Sequence, residues 1–242
     1  MQTKTFNVYN QKNQAVQDAY SMLASYIHLK NGENSVKSVA FTSCKPGVGK
    51  TTLCISLAVT MAEAGWKVLL VDTDIRKPSD AKRLNSDSEC GLTDYLMGSV
   101  DLSNALCKTN ISNLTYISCG KNQSNPSGLL CSPKFDEFFE RTKNLYDFII
   151  LDTPSLLSVS DGMIVASKAD ATVLAAEAGV TDITGLQRAQ KMLSQVEANV
   201  IGVVLNRVKK RQYRTYFESY NYFQNAKKFF TKGNDIVSKS LR

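Results

Sequence analysis

The chain has 242 residues, of which 43% are hydrophobic, and its formal net charge is +7. This length allows one large α/β domain or two small ones, and the even spread of apolar residues excludes a wholly disordered chain. The longest apolar runs have the length of strands, well short of the roughly 20 residues of a transmembrane helix. Residues 1–14 are polar and lack the pattern of a signal peptide. We therefore expect a soluble, cytoplasmic protein.

Hydrophobic periodicity predicts strands that alternate with helices along most of the chain. The first helix covers residues 14–29, and Asn31-Gly32 is expected to end it. The predicted strands are residues 36–42, 67–72, 114–118, 148–152, 172–176 and 200–206, and the further helices are residues 50–64, 133–142 and 183–196. Near-continuous apolar strands are typical of a sheet that is covered on both faces. The pattern predicts a doubly wound, mostly parallel α/β sheet.

A glycine-rich turn joins the first predicted strand to the helix that follows it. Its sequence is Cys44-Lys45-Pro46-Gly47-Val48-Gly49-Lys50-Thr51-Thr52. It follows the phosphate-loop pattern GxxxxGK[ST], except that Cys44 replaces the first glycine. Such a loop points backbone N–H groups at phosphate oxygens, and the helix adds its positive N-terminal end. We expect residues 45–52 to bind ATP, with Lys50 reaching the β- and γ-phosphates and Thr51 offering its hydroxyl to Mg²⁺.

Three aspartates follow two of the buried strands. Asp72 and Asp74 end the strand that begins near residue 67, and Asp152 ends the strand at residues 148–152. Ligands of open α/β sheets bind at the carboxyl ends of strands, so these carboxylates are expected beside the phosphates. Asp72 and Asp152 are predicted to hold Mg²⁺, mainly through water. Asp74 is predicted to accept a proton from a substrate hydroxyl.

No metal centre is expected from the six cysteines. They are scattered, no pair has the CxxC spacing, and His28 is the only histidine. Reduced thiols of this kind fit a cytosolic chain. His28 is expected to lie on a helix face without a chemical role.

The positive charge lies almost entirely in the C-terminal tail. Residues 207–242 contain ten basic and two acidic residues, a net charge of +8, whereas the rest of the chain is close to neutral. A solvated, flexible tail explains this composition. An anionic membrane surface, nucleic acid or an acidic partner are alternative explanations.

The strand that ends at Asp72 leads into the motif Asp72-Thr73-Asp74-Ile75-Arg76-Lys77-Pro78. This motif resembles the second Walker-A motif, DxDxR[KR]P, of the bacterial tyrosine kinases that govern capsule and exopolysaccharide synthesis. The resemblance continues in the following segments: Gly91-Leu92-Thr93-Asp94-Tyr95-Leu96, Asn125-Pro126-Ser127-Gly128-Leu129-Leu130, Ile150-Leu151-Asp152-Thr153-Pro154-Ser155, Ser160-Asp161 and Gly202-Val203-Val204-Leu205-Asn206. It implies an N-terminal helical segment (residues 1–34), a P-loop kinase domain like that of the partition ATPases (residues 35–208) and a tyrosine-containing tail (residues 209–242).

The resemblance also implies a reaction. Family members transfer the γ-phosphate of MgATP to tyrosines of their own tail, and the candidates here are Tyr213, Tyr216, Tyr220 and Tyr222. Lys50, Asp74 and Arg76 would be the catalytic residues, with Arg76 spreading the developing charge, and Asn206 would contact the base. The same cluster of tyrosines also fits an amphipathic surface segment without a catalytic role.

The partners that the resemblance implies are other proteins. The chain has the length of the two-polypeptide form of the family, in which a transmembrane protein of the polysaccharide co-polymerase type activates a soluble kinase. It would therefore lie at the inner face of the membrane, and a cognate tyrosine phosphatase would reverse the reaction. No nucleic acid is expected. Self-association as a dimer or ring is implied, but Ser21 and Ala24 replace the two interface arginines of the family motif that begins at Asp18, which speaks against a ring.

Two other functions fit parts of the sequence. Lys45 stands where the partition and septum-positioning ATPases carry a signature lysine that reaches the phosphates of a partner subunit, so a nucleotide-switched dimer is the main alternative. The missing arginines favour a non-catalytic nucleotide-binding adaptor, which the intact Lys50 and the three aspartates oppose.

Overall fold

The computed structural model describes residues 3–4, 14–34, 36–76, 90–121 and 123–209. The chain divides into two units, Met1–Asn206 and Arg207–Arg242. The functional site lies in the first unit.

Strands and helices alternate along the described residues. The strands are β1 (Thr3–Lys4), β2 (Ser38–Ser43), β3 (Val68–Asp72), β4 (Cys107–Thr109), β5 (Leu114–Ile117), β6 (Phe148–Asp152), β7 (Ala171–Glu177) and β8 (Val200–Asn206). The helices are α1 (Gln14–Asn34), α2 (Lys50–Glu63), α3 (Leu92–Leu96), α4 (Leu102–Ala105), α5 (Pro126–Leu130), α6 (Pro133–Lys143), α7 (Asp161–Lys168) and α8 (Ile183–Ser194).

The described strands form one sheet in the order β1-β4-β5-β3-β6-β2-β7-β8. The pair β4–β5 is antiparallel, and the other neighbours are parallel. β6 lies between β2 and β3, so the loops that follow these three strands open at the same edge of the sheet. This is the edge at which open α/β sheets bind their ligands.

Alternate residues of β3 enter two different hydrophobic cores. Val68 and Leu70 pack in the core that α1 and α2 share with the sheet. Leu69 and Val71 pack in a second core with side chains of α3 to α7. A third, smaller core joins α7 to α8. Because side chains alternate across a strand, helices cover both faces of the sheet. The prediction of a doubly wound, mostly parallel sheet is confirmed.

The prediction that Asn31-Gly32 ends the first helix is wrong. α1 continues to Asn34. One glycine within a helix costs only about 1 kcal/mol relative to alanine, and the packing of Ala24 and Ile27 in the core with α2 outweighs so small a preference.

The sequence did not predict several short elements, namely β1, β4, α3, α4, α5 and α7. The strands among them have two or three residues and the helices four to eight, fewer than hydrophobic periodicity needs to identify a strand or a helix. The predicted elements are all present, with ends that differ by one or two residues apart from the end of α1.

The two positions that lack the family arginines differ in their surroundings. Ser21 is exposed, whereas Ala24 has only 3% of its surface exposed and packs within the core. An arginine at position 24 would have to enter that core, so in this chain the position contributes to packing.

No helix among the described residues is long and apolar enough to span a membrane.

Candidate active site

The phosphate loop joins β2 to α2 and has the backbone conformation that its glycines allow. Gly47 and Gly49 have φ values of 85° and 89°, a region that other residues rarely occupy. Gly49 is the N-cap of α2, so the first N–H groups of that helix face the loop. Because these groups have no partner within their own helix, they are suited to bind phosphate oxygens.

The side chain of Lys50 is hydrogen-bonded at the start of this loop. Its Nζ donates a hydrogen bond to Ser43 Oγ at 3.0 Å, and that hydroxyl donates to the carbonyl of Lys45 at 2.7 Å. The lysine is thus held at the mouth of the loop. Ser43, which the sequence reading missed, orients it.

Cys44 occupies the position of the missing glycine without disturbing the loop. Only 2% of its surface is exposed, and it packs with Leu156 and Leu174 in the third core. Its carbonyl accepts a hydrogen bond from the N–H of Leu157 at 3.2 Å. Burial raises the pKa of its thiol, so the side chain is neutral at physiological pH.

Asp72 and Asp152 end adjacent parallel strands and are direct partners in the register between β3 and β6. Both are nearly buried, with 3% and 5% of their surface exposed. Buried carboxylates side by side repel each other unless a cation or hydrogen-bond donors compensate for their charge. This pair fits a hard cation such as Mg²⁺, with the Thr51 hydroxyl at the first turn of α2 as a further oxygen ligand.

The loop after β3 presents Asp74. The N–H of Asp74 donates to Asp72 Oδ1 at 3.0 Å. Thr73 fixes the loop to β6, since its N–H and its hydroxyl both donate to the carbonyl of Asp152, at 2.9 and 2.7 Å. Asp74 itself is half-buried beside the predicted metal site.

A buried thiol lies behind these carboxylates. The Sγ of Cys54, on α2, is 4.0 Å from Oδ1 of Asp152. Burial raises the pKa of Cys54 well above its usual value, and the negative charge of Asp152 raises it further. The thiol therefore stays protonated and places no additional charge at the site.

Arg76 is engaged within its own chain. Its Nε donates to Asp161 Oδ2 at 2.6 Å, and its Nη2 donates to Asp161 Oδ1 at 3.1 Å and to Ser127 Oγ at 3.0 Å. The hydrogen bond with Asp161 raises the pKa of the guanidinium, which stays charged. The other two residues of the motif, Lys77 and Pro78, lie outside the described residues.

Two other residues with predicted roles contact partners that the sequence did not indicate. Asn206 Nδ2 donates to the carbonyl of Val48 at 2.8 Å, so Asn206 contacts the phosphate loop. Lys45 Nζ lies 3.5 Å from Asp182 Oδ2, and both side chains are more than half exposed. A hydrogen bond from the N–H of Gly185, and then the charge of Lys45, lowers the pKa of Asp182.

The structure therefore brings most of the predicted site together at one edge of the sheet: the phosphate loop, the three aspartates, Arg76 and Asn206. The four predicted acceptor tyrosines lie outside the described residues. The sequence reading assigned no role to Ser127, Asp161 or Asp182. Ser127 and Asp161 stand within motifs of the family resemblance. The spacing of Asp182 before Gly185 is a helix-cap signal that could have been noticed.

Comparisons with known proteins agree with this geometry. A protein-family model described as an AAA domain matches residues 36–206. The tyrosine-protein kinase CpsD of Streptococcus pneumoniae serotype 4 is 37% identical over 193 residues, which cover 79% of this chain and 84% of that protein. The match extends over most of both chains and therefore reaches well beyond the phosphate loop.

Solved structures show the same likeness. The kinase domain of the Escherichia coli tyrosine kinase ETK superposes with a TM-score of 0.80 and 29% identity, covering 84% of this chain and 80% of that one. The chimerical protein CapA2B2 superposes with a TM-score of 0.78 and 27% identity, covering 87% and 95%. The septum site-determining protein MinD from Pyrococcus horikoshii, complexed with Mg-ADP, is less similar, with a TM-score of 0.61, 25% identity and 73% of each chain covered. This chain is an ATP-binding P-loop protein that belongs to the family of bacterial tyrosine-protein kinases.

Proposed function

We propose that the chain transfers the γ-phosphate of MgATP to tyrosines of its own C-terminal tail, and that this reaction regulates the synthesis of a capsular or extracellular polysaccharide. The observation that carries the proposal is the placement of Asp74 beside the paired Asp72 and Asp152, at the mouth of a phosphate loop. A carboxylate at this position can accept the proton of an acceptor hydroxyl during transfer, a role that a site for nucleotide binding without chemistry does not need.

The roles of the phosphate loop follow from its geometry. Its backbone N–H groups and the N-terminal end of α2 hold the triphosphate, and Lys50 neutralises the charge between the β- and γ-phosphates. Asp72, Asp152 and the Thr51 hydroxyl would hold the magnesium ion. When bound, Mg²⁺ withdraws charge from the phosphate oxygens.

The acceptor side of the reaction depends on Asp74. A tyrosine hydroxyl has an ordinary pKa near 10, so it keeps its proton at neutral pH and must lose it during transfer. Asp74 receives that proton as the tyrosine oxygen bonds to the γ-phosphorus and the bond from that phosphorus to the oxygen of ADP breaks, which releases ADP. Arg76 carries a positive charge on the same loop and contributes to the field that the transferring phosphoryl group experiences.

The tail is the acceptor segment that this proposal requires. Tyr213, Tyr216, Tyr220 and Tyr222 stand within ten residues of each other, and five basic residues lie between positions 207 and 214. Positive charge near an acceptor tyrosine attracts it to a site that holds a triphosphate. A cognate tyrosine phosphatase would then remove phosphate from the tail tyrosines.

An activator at the membrane completes the proposal. The similarity to the chimerical protein CapA2B2 supports a second component that works together with the kinase. A transmembrane activator of the polysaccharide co-polymerase type would recruit this chain to the cytoplasmic face of the membrane. Self-association would bring the tail of one copy to the site of another, through contacts other than the missing arginines.

The decisive experiment measures where phosphate is attached. The full chain is incubated with MgATP, with and without the cytoplasmic segment of the neighbouring membrane activator, and phosphate is mapped by mass spectrometry. A Lys50→Met variant is the control for nucleotide chemistry, and a variant with phenylalanine at the four tail tyrosines is the control for the acceptors.

We expect phosphotyrosine at one or more of the four positions, and its loss in the Lys50→Met variant. Phosphate only on tyrosines outside the tail would contradict the acceptor assignment. MgATP binding without any phosphotyrosine, even with the activator present, would contradict the kinase reaction and favour a switch or an adaptor.

A further inference from the structure

Three loops that follow different strands meet at the side chain of Arg76. Arg76 belongs to the loop after β3, Ser127 to the first turn of α5, and Asp161 to the first turn of α7, the helix that follows β6. The guanidinium and the serine hydroxyl donate to the same carboxylate, and Ser127 Oγ lies 2.7 Å from Asp161 Oδ1. One cluster of hydrogen bonds therefore connects segments that are distant in sequence.

Asp161 is the centre of this cluster. It is fully buried, whereas 39% of the Arg76 side chain is exposed. A carboxylate is costly to bury unless its oxygens are paired, and here the guanidinium engages both oxygens in a bidentate manner. Asp161 is fixed in the protein interior, whereas the side chain of Arg76 extends from the surface to bind it. The position of Asp161 therefore determines where Arg76 lies.

Arg76 and Thr73 bracket Asp74 in segment 73–76, which directly follows β3. Thr73 is attached to the end of β6 through the carbonyl of Asp152, on the N-terminal side of Asp74. Arg76 is attached to α7 through Asp161, on the C-terminal side. Because segment 73–76 is attached at Thr73 and at Arg76, the carboxylate of Asp74 between them has little freedom to move.

We propose that Asp161 is a positioning residue for phosphoryl transfer, because it holds Arg76 and thereby fixes the loop that presents Asp74. This inference rests on the proposed kinase reaction and deepens it. It also assigns Arg76 a different main role from charge stabilisation: the Nε and Nη2 groups are committed to Asp161 and Ser127, so the arginine acts chiefly through the position of its loop.

The test compares Asp161→Asn, Arg76→Lys and the double variant in the full chain with its activator segment. Asp161→Asn leaves the arginine charge in place but removes the ion pair. Arg76→Lys keeps a charge but cannot form the bidentate contact. We expect each single variant to lower kcat for tail phosphorylation by about tenfold or more, because small displacements of reacting groups cost that much. The KM for MgATP should change by less than about threefold, since the phosphate loop is untouched.

The double variant distinguishes positioning from direct action. If both residues act through one contact, the double variant is no slower than the slower single variant. If Arg76 acts directly on the phosphoryl group, one of two results is expected: Asp161→Asn leaves kcat near that of the wild type, or it lowers kcat and the effects of the two changes multiply in the double variant. Either of these last results would overturn the proposal.

Asp170→Asn provides a matched control. Asp170 accepts a hydrogen bond from Lys143 Nζ at 2.6 Å and lies just before β7, at the opposite end of the strands from the phosphate loop. This variant should lower the melting temperature but leave kcat unchanged. A fall in kcat as large as that of Asp161→Asn would indicate a general effect of lost stability and would overturn the positioning role.

Hydrogen exchange gives a readout that needs no catalysis. We expect faster exchange of the amides of residues 73–76 in Asp161→Asn than in the wild type, and no such change in Asp170→Asn. If the wild type transfers no phosphate, the kinase proposal fails, yet this measurement still reports whether Asp161 holds the loop. Unchanged exchange at residues 73–76 would overturn the inference in either case.

Discussion

Asn206, the last residue of β8, donates its side-chain amide to the backbone carbonyl of Val48 in the phosphate loop at 2.8 Å. The two residues are 158 positions apart in the sequence. The end of the last strand therefore holds the middle of the loop, directly before Gly49 and the start of α2. An asparagine that the family resemblance associates with the base thus has a second contact, with the part of the protein that surrounds the phosphates.

Asn206→Ala should weaken nucleotide binding, because the carbonyl of Val48 loses a partner and the loop becomes less ordered. A neutral hydrogen bond of this kind contributes about 1 kcal/mol, which corresponds to an approximately fivefold higher Kd for MgADP in titration calorimetry. Asn199→Ala is the control, since Asn199 Nδ2 donates to the carbonyl of Asp170 at the other end of the strands. An unchanged Kd in Asn206→Ala would show that the hydrogen bond to Val48 does not order the loop.

Lys45→Ala separates a kinase from a nucleotide-switched dimer. The pair between Lys45 and Asp182 is exposed, and exposed pairs contribute at most about 1 kcal/mol. We expect tail phosphorylation to stay within about twofold of the wild type and ATP-dependent self-association to be unaltered in sedimentation measurements. Loss of ATP-dependent dimerisation would favour the switch.

Asp182→Ser is the companion variant for this test. Asp182 also caps α8 by accepting a hydrogen bond from the N–H of Gly185 at 2.5 Å, and serine preserves a cap while removing the charge. Like Lys45→Ala, the Asp182→Ser variant should leave tail phosphorylation and ATP-dependent self-association close to those of the wild type.

Protonation of the Asp170 carboxyl should lower the free energy of unfolding in acid. Burial alone would raise its pKa, but hydrogen bonds from Lys143 and Ser38 outweigh burial, so the pKa of this carboxyl lies below its ordinary value. A lowered pKa stabilises the fold above the unfolded value near 4, and that stabilisation is lost as the pH falls through the folded pKa. Urea unfolding should show Asp170→Asn to be less stable than the wild type by about 1–2 kcal/mol at neutral pH. The difference should shrink below about pH 4. A difference that is independent of pH would contradict this assignment.

Two glycine substitutions should change stability in opposite directions. At Gly32, in α1, an added Cβ meets no atom within 4 Å, so alanine should stabilise the helix by up to about 1 kcal/mol. At Gly91 the same atom would lie 2.4 Å from the backbone nitrogen of Gly120 and 2.5 Å from the carbonyl oxygen of Ser118. Alanine there forces the backbone apart and should cost about 2 kcal/mol or more. Thermal unfolding checks both variants, and a stable Gly91→Ala protein would mean that this close approach relaxes easily.

The sequence was sufficient for six of the eight described strands and for the position of the carboxylates that follow them. Buried strands are visible as apolar runs, and the ends of parallel strands meet at one edge, so Asp72 and Asp152 could be placed together. The contact of Arg76 with Asp161 could not be predicted, because it joins residues 85 positions apart and depends on how α7 begins. The end of α1 was missed for a different reason, since burial of Ala24 and Ile27 in the core that α1 shares with α2 outweighs the local preference of Gly32.

Cys44 shows that the first position of the GxxxxGK[ST] pattern does not need the backbone conformation of glycine. The glycines with positive φ, Gly47 and Gly49, are present, whereas the first position of the pattern has no positive φ and points its side chain into the core with Leu156. A small buried side chain is sufficient there. A genome search that demands glycine at this position would therefore overlook chains like this one, although this loop retains both glycines with positive φ as well as Lys50 and Thr51.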